Sequence, residues 1–227
     1  MTVTDQPQPT TRTDGLVIRT PRRYDLRLWW ASRGREGRFR REEVALARIT
    51  PGERVLDVGC GTGSLTIAAA RAAGPGGRVV GIEPGLEMIE RARAKARRAR
   101  LPIELVQTAG EALPFPAASF DVVLVSLVLH QLPSGPLHGT MAWSVGVLAP
   151  GGRLLIVDLG TPEPGQRTVH SHAAASAEGR HGASFDLDRV GLLVEHVGLP
   201  ITDRGPIAFR FRNLEPLRFL LAAKPID

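Results

Sequence analysis

An acid followed by three alternating glycines is the most informative pattern in this sequence: Asp57, Gly59, Gly61 and Gly63. An apolar stretch precedes it, and an alanine-rich stretch follows from Ser64. Glycines remove Cβ atoms where a backbone turns sharply and where a ligand must lie against the main chain. The helix predicted next would add unpaired N–H groups at its start. The pattern therefore predicts a nucleotide-type cofactor site, the alternative being a tight strand-to-helix turn without a ligand.

The spacing and the acids indicate which cofactor this site would take. A dinucleotide site would have G-x-G-x-x-G, but here the third glycine falls one residue early. The Asp57 carboxylate would repel a pyrophosphate and suits a ligand that carries an ammonium and a sulfonium group. Glu83 ends the next predicted strand, 20 residues after Gly63. An acid there can accept hydrogen bonds from both hydroxyls of a ribose, which supports adenosine binding in either cofactor class.

Length and composition predict one globular domain. The 227 residues (24.4 kDa) can fill one core, and 43% of them are hydrophobic. The longest apolar run, residues 122–129, is too short to cross a bilayer. Residues 1–15 are polar and are predicted to form a disordered tail rather than a secretory signal, so we expect a cytoplasmic protein. Cys60 is the only cysteine, which excludes an intramolecular disulfide and favours a packing role.

The basic charge raises an alternative function. The net charge is +6 and the pI is about 10.8, which is compatible with an RNA-modifying enzyme or an RNA-binding module. Only Lys95 and Lys224 are lysines, however, so arginine supplies nearly all of the basic side chains. Aromatic residues make up 5% of the chain, so few side chains are available to stack on nucleic-acid bases. Nucleic acid is therefore the less favoured partner.

The elements that must position the glycines alternate between strand and helix. Strands are predicted at 55–58, 78–83, 103–106, 122–130 and 153–158, with two weaker strands near 201–204 and 217–223. Helices are predicted at 64–73, 84–100, 133–148 and 185–197. This order implies parallel pairing through right-handed crossovers. Residues 16–50 are predicted to form a helical lid, in which Tyr24, Trp29 and Trp30 either close over a ligand or pack on the flank of the domain.

Five blocks resemble one family: residues 55–63, 81–92, 111–115, 119–130 and 148–158 are similar to class I S-adenosylmethionine-dependent methyltransferases of the ubiquinone/menaquinone-biosynthesis type (methyltransferase domain 11-like). The resemblance implies an α/β, Rossmann-like fold with a seven-stranded, mostly parallel sheet and helices on both faces. The resemblance spans roughly residues 51–158, and we expect the methyltransferase domain to cover residues 51–227. Residues 160–184 are rich in small residues and have no helical or strand period, so they are predicted to form a long loop or lid within that domain. The implied cofactor is S-adenosyl-L-methionine, and the product is S-adenosyl-L-homocysteine.

The resemblance also implies the roles of residues around the cofactor. Asp57, Gly59, Gly61 and Thr62 would line the methionine end, Glu83 would hold the ribose, Ala109 and Gly110 would lie beside adenine, and Ser126 would lie under the methionine moiety. The full predicted set adds Cys60, Gly63, Pro84, Met88 and Glu111. Where many relatives carry an acid after the third strand, this chain has Ala109. Backbone groups or Glu111 would then have to accept from the adenine amino group.

Methyl transfer needs a base only when the acceptor must lose a proton. His130 is the first choice for that base and Tyr24 the second, although His130 could instead shape the substrate site or be a buried imidazole. The expected acceptor is a small, largely apolar molecule, methylated at oxygen, carbon or nitrogen. A domain that binds the cofactor without methyl transfer is a further alternative. No metal site is predicted, since His170, His172 and His181 fall in a loop of small residues; the oligomeric state is left open, with a homodimer as one option.

Overall fold

Strands and helices alternate along most of the chain, as a parallel sheet with crossover helices requires. The structure is a computed structural model that describes residues 13–111, 114–160, 186–212 and 216–226. The strands are β1 (Arg54–Val58), β2 (Arg78–Glu83), β3 (Ile103–Gln107), β4 (Phe120–Ser126), β5 (Leu148–Leu159), β6 (Ile201–Pro206) and β7 (Leu217–Ala223). The helices are α1 (Pro21–Ala31), α2 (Glu36–Leu46), α3 (Ser64–Ala73), α4 (Leu86–Ala99), α5 (Ser134–Gly146) and α6 (Leu187–His196).

The seven strands form one sheet in the order β3-β2-β1-β4-β5-β7-β6. Strands β1 to β5 pair in parallel, whereas β7 runs antiparallel to both β5 and β6. From β1 the chain first builds outward to β2 and β3, and then returns to place β4 on the other side of β1. Such a switch point leaves a crevice beyond the carboxyl ends of the strands. The predicted Rossmann-like α/β fold is confirmed.

Helices cover both faces of the sheet because alternate residues of each buried strand point to opposite sides. Val55 of β1 packs in a cluster with apolar residues of α2 and α3. Leu56 and Val58 pack in a second cluster, with Met141 of α5 and Val190 of α6. The strands that lead to the cleft are therefore packed on both faces, and this packing fixes the positions of their ends.

Strand β4 is shorter than the sequence predicts. It ends at Ser126, and Leu127 has a φ of +58°, so the prediction of a strand through residue 130 was wrong. The N–H of Leu127 still donates to the carbonyl of Val157, at 2.8 Å, but the chain then turns into a single 3-10 turn, Leu129–Gln131. His130 accordingly lies in a turn that folds back beside the strand ends.

Parts of the predicted tail and of the predicted lid loop lie outside the residues that the structure describes. Residues 1–12 of the predicted tail lie outside the described residues, as do the lid loop from residue 161 onward and His170, His172 and His181. Residues 13–15 were predicted as part of the disordered tail, but Thr13 Oγ1 donates to Glu111 at 2.6 Å and anchors this segment to the domain. Within the described ranges, no helix combines the length and apolar character needed to span a membrane.

Candidate functional site

A cleft opens beyond the ends of β1, β2 and β4, at the switch point of the sheet. Its empty space, counted out to the open mouth, is about 710 Å³. Two parts of the chain line it: the segment before and within α1, and the loops that follow the strands. The lining residues are Thr13, Gly15, Leu16, Ile18, Tyr24, Val58, Gly59, Gly61, Glu83, Pro84, Met88, Gly110, Glu111, Ser126, Leu127, Val128, Gln131, Leu132 and Thr140.

The cleft brings together many, but not all, of the residues predicted for the site. Those that line it are Tyr24, Gly59, Gly61, Glu83, Pro84, Met88, Gly110, Glu111 and Ser126. Those that do not line it are Asp57, Cys60, Thr62, Gly63, Ala109 and His130.

The loop after β1, residues 59–63, has the glycines that its geometry requires. Gly59 has a φ of +69°, and a Cβ built there would lie 2.5 Å from Cγ2 of Val128. Gly63 has a φ of +80°, and a Cβ there would lie 3.0 Å from Cβ of Ala92 in α4. Side chains at these two positions would be strained in conformation and would also push neighbouring elements away. The glycines thus let the main chain itself form the floor of the cleft.

Glu83 joins the end of β2 to this glycine loop. Its Oε2 accepts from the N–H of Gly61 at 3.2 Å, and its Oε1 accepts from the N–H of Gly85 at 2.9 Å. Burial raises the pKa of Glu83, and the two backbone N–H groups partly offset that effect. A carboxylate has about four acceptor positions, so these two bonds leave capacity for hydroxyl donors from a ligand in the cleft.

Asp57 lies one layer below the cleft. It is buried, and its Oδ2 accepts from the hydroxyl of Thr66 at 2.6 Å. Burial raises the pKa of Asp57 to about 7, against the hydrogen bond from Thr66 and the positive charge of Arg40. Its charge near neutral pH therefore depends on what occupies the space around it, and a cation in the cleft would favour the ionised form.

Cys60 and Ala109 are buried packing residues. The Sγ of Cys60 faces Gly81 on β2, where a Cβ would come within 3.1 Å of it. Burial raises the pKa of the Cys60 thiol well above its usual range, so it stays protonated and unreactive. Ala109 is 1% exposed and follows β3 without reaching the cleft surface.

Thr62 fastens helix α1 over the glycine loop. Its hydroxyl donates to Asp25 Oδ1 at 2.7 Å and accepts from Lys95 Nζ at 3.0 Å. Asp25 also pairs with Arg91 at 2.9 Å. Although burial raises the pKa of Asp25, the bond from Thr62 and the two cations hold it below its usual range. The hydroxyl of Thr62 is thus committed to holding α1 in place.

Helix α1 turns one aromatic side chain to the cleft and two away from it. Tyr24 lines the cleft, and burial raises the pKa of its phenol. Trp29 and Trp30 are 59% and 51% exposed and do not line it. Of the three aromatic residues considered as a lid, only Tyr24 is placed to cover a ligand.

A buried ion pair beneath the cleft was not predicted from the sequence. Arg40 Nη1 lies 2.9 Å from Glu43 Oε2 on α2, and the same nitrogen donates to Ser126 Oγ at 3.3 Å. The Ser126 hydroxyl donates in turn to Glu43 Oε1. Burial raises the pKa of Glu43, and the charge of Arg40 opposes that rise. Ser126 is therefore held at the cleft edge by a charged pair on helix α2.

His130 is held by an acid from the neighbouring strand. Its Nδ1 lies 2.6 Å from Oδ1 of Asp158, at the end of β5. Oδ2 of Asp158 accepts from the N–H of Leu129 at 2.9 Å, so the acid fixes both the turn and the ring. His130 does not line the cleft, but Val128, Gln131 and Leu132 around it do. The strand-end position of Asp158 was the only sequence signal for this partner.

A polar atom in the cleft wall points to a ligand. Thr140 on α5 lines the cleft and is 1% exposed, and its Oγ1 has no hydrogen-bond partner among the described residues. Buried hydroxyls are normally satisfied. Gly110 lies against it, since a Cβ there would come within 3.1 Å of Oγ1. A polar group of a bound molecule beside Gly110 would satisfy this hydroxyl.

Comparisons with known proteins agree with this geometry. Residues 55–152 match the family of methyltransferase domains. A demethylmenaquinone methyltransferase of Listeria welshimeri is 35% identical over 134 residues, which cover 58% of this chain and 56% of that protein. The chain therefore spans less than two thirds of the length of that curated relative.

Solved structures share the fold. A SAM-dependent methyltransferase from Aquifex aeolicus matches with a TM-score of 0.64 and 21% identity, covering 80% of this chain and 88% of that one. The [4+2]-cyclase SpnF matches with a TM-score of 0.67 and 20% identity, covering 84% and 82%. The resemblance to class I methyltransferases of the ubiquinone/menaquinone type is confirmed. Residues 55–152 are therefore similar to the methyltransferase domain family, and the chain shares the fold of solved S-adenosylmethionine-dependent methyltransferases.

Proposed function

We propose that this chain is an S-adenosylmethionine-dependent methyltransferase that acts on a small, largely apolar acceptor and forms S-adenosylhomocysteine. The observation that carries this proposal is the position of Glu83, which lines the cleft and is bonded to the glycine loop at Gly61. A ribose presents two adjacent hydroxyl donors, and an acid at the end of the second strand is the acceptor that adenosine sites use.

Other residues of the cleft fit the remaining parts of this cofactor. The orphaned hydroxyl of Thr140 and the backbone of Gly110 would face the adenine, with Met88 as an apolar wall. The glycine loop would face the methionine portion. Asp57 below it would be held ionised by a sulfonium and an ammonium group, because opposite charges favour the charged form of an acid.

The chemistry required of the protein is alignment and the exclusion of water. When bound, S-adenosylmethionine supplies a methyl group on a positively charged sulfur, which is already activated for displacement. The cleft walls align the acceptor with that methyl group, and effective concentration provides much of the rate. Tyr24 and residues of the segment 13–18 line the cleft on the side of α1, where they would limit the access of water to a bound ligand.

The acceptor that we propose is a quinol-type or phenol-type aromatic molecule. The cleft edge beside Ser126 is apolar, with Leu16, Val128 and Leu132 among its lining residues. A relative that is 35% identical over 134 residues is named a demethylmenaquinone methyltransferase. His130, oriented by Asp158, would take the proton that such an acceptor loses on methylation at carbon or oxygen.

Calorimetry with S-adenosylmethionine tests the cofactor site. We expect the wild-type chain to bind and Glu83→Ala to bind at least about tenfold more weakly, because a hydrogen bond to a charged group is worth about 1.5–3 kcal/mol. The matched control is Glu104→Ala on the neighbouring strand β3, an exposed acid paired with Arg78. Absence of binding to the wild type, or equal binding by both variants, would contradict the proposed site.

Turnover separates a methyltransferase from a domain that only holds the cofactor. We expect S-adenosylhomocysteine to form with a member of a panel of quinols, phenols and amines. A chain that binds the cofactor but turns over none of them would contradict methyl transfer to this class. That outcome is a real alternative, because one fold hosts several activities and one matching structure is named a cyclase.

A further inference from the structure

Helix α1 carries an apolar patch that faces solvent. Leu26, Trp29 and Trp30 are 64%, 59% and 51% exposed, and Leu16 just before the helix is 38% exposed. In the described part of the chain, these four are the majority of the large apolar side chains that are exposed. Such a cluster marks an interaction surface more often than a chance exposure.

The exposed charged side chains on and beside helix α1 are of one sign. The exposed charged residues between positions 19 and 38 are all arginines: Arg19, Arg22, Arg23, Arg27, Arg33, Arg35 and Arg38. The two acids of that range are partly buried and paired, Asp25 with Arg91 and Glu36 with Arg40. Arg212 adds a cation over the Trp30 ring, at 5.4 Å from its centroid. The surface of α1 is therefore both apolar and positive.

We propose that α1 docks this protein on an anionic lipid bilayer. Tryptophan prefers the interface between headgroups and acyl chains, and arginine can extend its stem along apolar surface while its head reaches phosphate. Helices with this composition lie in the plane of the interface, and basic residues strengthen the attraction to anionic lipids. A second copy of the chain would bring the same arginines together, and RNA would leave Leu26 in water, so charge and apolarity together favour lipid.

Docking through α1 would place the cleft at the bilayer. Tyr24 on the inner side of α1 lines the cleft, and Leu16 both lines it and reaches solvent. An apolar acceptor dissolved in the bilayer would thus meet the cleft without crossing water. Vesicle binding is measured without cofactor or acceptor, so its loss is distinct from a loss of methyl transfer.

Co-sedimentation of the full chain with vesicles tests this surface. We expect at least about tenfold tighter binding to phosphatidylcholine vesicles that contain phosphatidylglycerol than to phosphatidylcholine alone. Tryptophan emission should shift to the blue on binding, because Trp29 and Trp30 are exposed whereas Trp143 is already half-buried. Equal binding to both vesicle types, or no binding to either, would overturn the proposal.

Paired variants locate the contact. Arg22→Gln with Arg23→Gln, and separately Trp29→Ala with Trp30→Ala, should each weaken vesicle binding about tenfold. Arg97→Gln with Arg98→Gln removes the same charge from exposed positions on α4, and Leu192→Ala removes an exposed apolar side chain from α6; neither should weaken binding. Equal losses of vesicle binding in the variants and in the controls would overturn the proposal. So would a dimer of the wild-type chain that Trp29→Ala with Trp30→Ala dissociates, or tighter binding to an RNA oligonucleotide than to anionic vesicles. Circular dichroism checks that each variant is folded.

Discussion

Asp158 holds the imidazole of His130 in one orientation, with 2.6 Å between Oδ1 and Nδ1. The acid is completely buried, and its other oxygen accepts from the backbone of Leu129 at 2.9 Å. A carboxylate beside Nδ1 favours the tautomer with its proton on that nitrogen, which makes Nε2 the basic nitrogen of the ring. This orientation is the one that the proposed role of His130 as a general base requires.

We predict that His130→Gln lowers turnover about 10²-fold to 10⁴-fold while the cofactor affinity stays unchanged, because a positioned base contributes that much to proton transfer. Asp158→Asn should lower turnover in the same direction, since it removes the group that orients the ring. Turnover is followed as S-adenosylhomocysteine formation, and affinity by calorimetry. The expected pattern is a fall in kcat without a change in cofactor Kd.

The matched control is His138→Gln. His138 is an exposed histidine on α5, and its Nδ1 lies 2.7 Å from the carbonyl oxygen of Ser134. The turnover of this variant should equal that of the wild type. A His130→Gln enzyme with full turnover would show that His130 shapes the site and takes no proton.

The raised pKa of Asp57 predicts a pH dependence of stability. An aspartate in the unfolded chain titrates near about 3.9, whereas burial raises the pKa of Asp57 in the folded chain to about 7. Between these values the folded state holds a proton that the unfolded state has released, so the contribution to stability falls as pH rises. Over that range the loss amounts to about 4 kcal/mol for a shift of this size.

We therefore expect Asp57→Asn to gain stability relative to the wild type as pH rises from about 4 to about 7. Asparagine can still accept from Thr66, so the hydrogen bond in this place is kept. Urea unfolding at several pH values measures the difference.

Asp121 gives the control of opposite sign. The hydrogen bond from Arg54 lowers its pKa, so its contribution is present above the unfolded pKa and is lost only in stronger acid. Asp121→Asn should destabilise the protein by an amount that does not change above about pH 5. A constant difference for Asp57→Asn as well would show that Asp57 is ionised throughout.

The sheet and its cofactor loop could be predicted because their signals are local. Apolar strands, the spacing of Asp57, Gly59 and Gly61, and an acid after the next strand are readable without tertiary contacts. The end of β4 could not be predicted in this way, because the apolar run continues through Leu127 although the backbone turns at that residue. Side-chain character alone does not reveal a positive φ.

Which side chains of helices α1 and α2 are buried could not be predicted from local sequence patterns either. A charge run such as that of α2 normally forms a solvated face, yet Arg40 and Glu43 are buried because α2 packs over Ser126. Trp29 and Trp30 are apolar, yet they face outward because Tyr24 and Asp25 fix the opposite side of α1. Both outcomes depend on how a helix is oriented against the sheet.

Substitutions of Gly59 and Gly52 distinguish the cost of a steric contact from the cost of backbone strain. Both have positive φ, +69° and +91°, but a Cβ at Gly59 would lie 2.5 Å from Val128, whereas nothing lies within 4 Å of one at Gly52. We predict that Gly52→Ala costs about 1–2 kcal/mol of unfolding free energy, and that Gly59→Ala costs a further 1–3 kcal/mol or so from overpacking. Urea titration of both variants gives the difference, and equal costs would mean that the loop yields without strain at Val128.

The Arg40 and Glu43 pair predicts strong coupling between two substitutions. Arg40→Met would leave a buried carboxylate without its cation, which typically costs about 3–5 kcal/mol. Adding Glu43→Leu should recover part of that loss, because a buried ion pair replaced as a whole by apolar side chains avoids the uncompensated charge. Urea unfolding of the two single variants and the double variant gives the coupling energy.

The exposed pair of Arg78 and Glu104, 2.7 Å apart with each side chain 47% exposed, is the comparison. Solvent screens this pair, so its single substitutions should each cost no more than about 1 kcal/mol and its coupling should be small. Strictly additive losses at Arg40 and Glu43 would mean that water or a neighbour compensates the remaining charge. In that case the strand alone would hold Ser126, which bonds to both residues, at the cleft, and Arg40→Met should leave cofactor affinity unchanged. If the coupling is strong, the pair helps to position Ser126, and Arg40→Met should lower cofactor affinity together with stability.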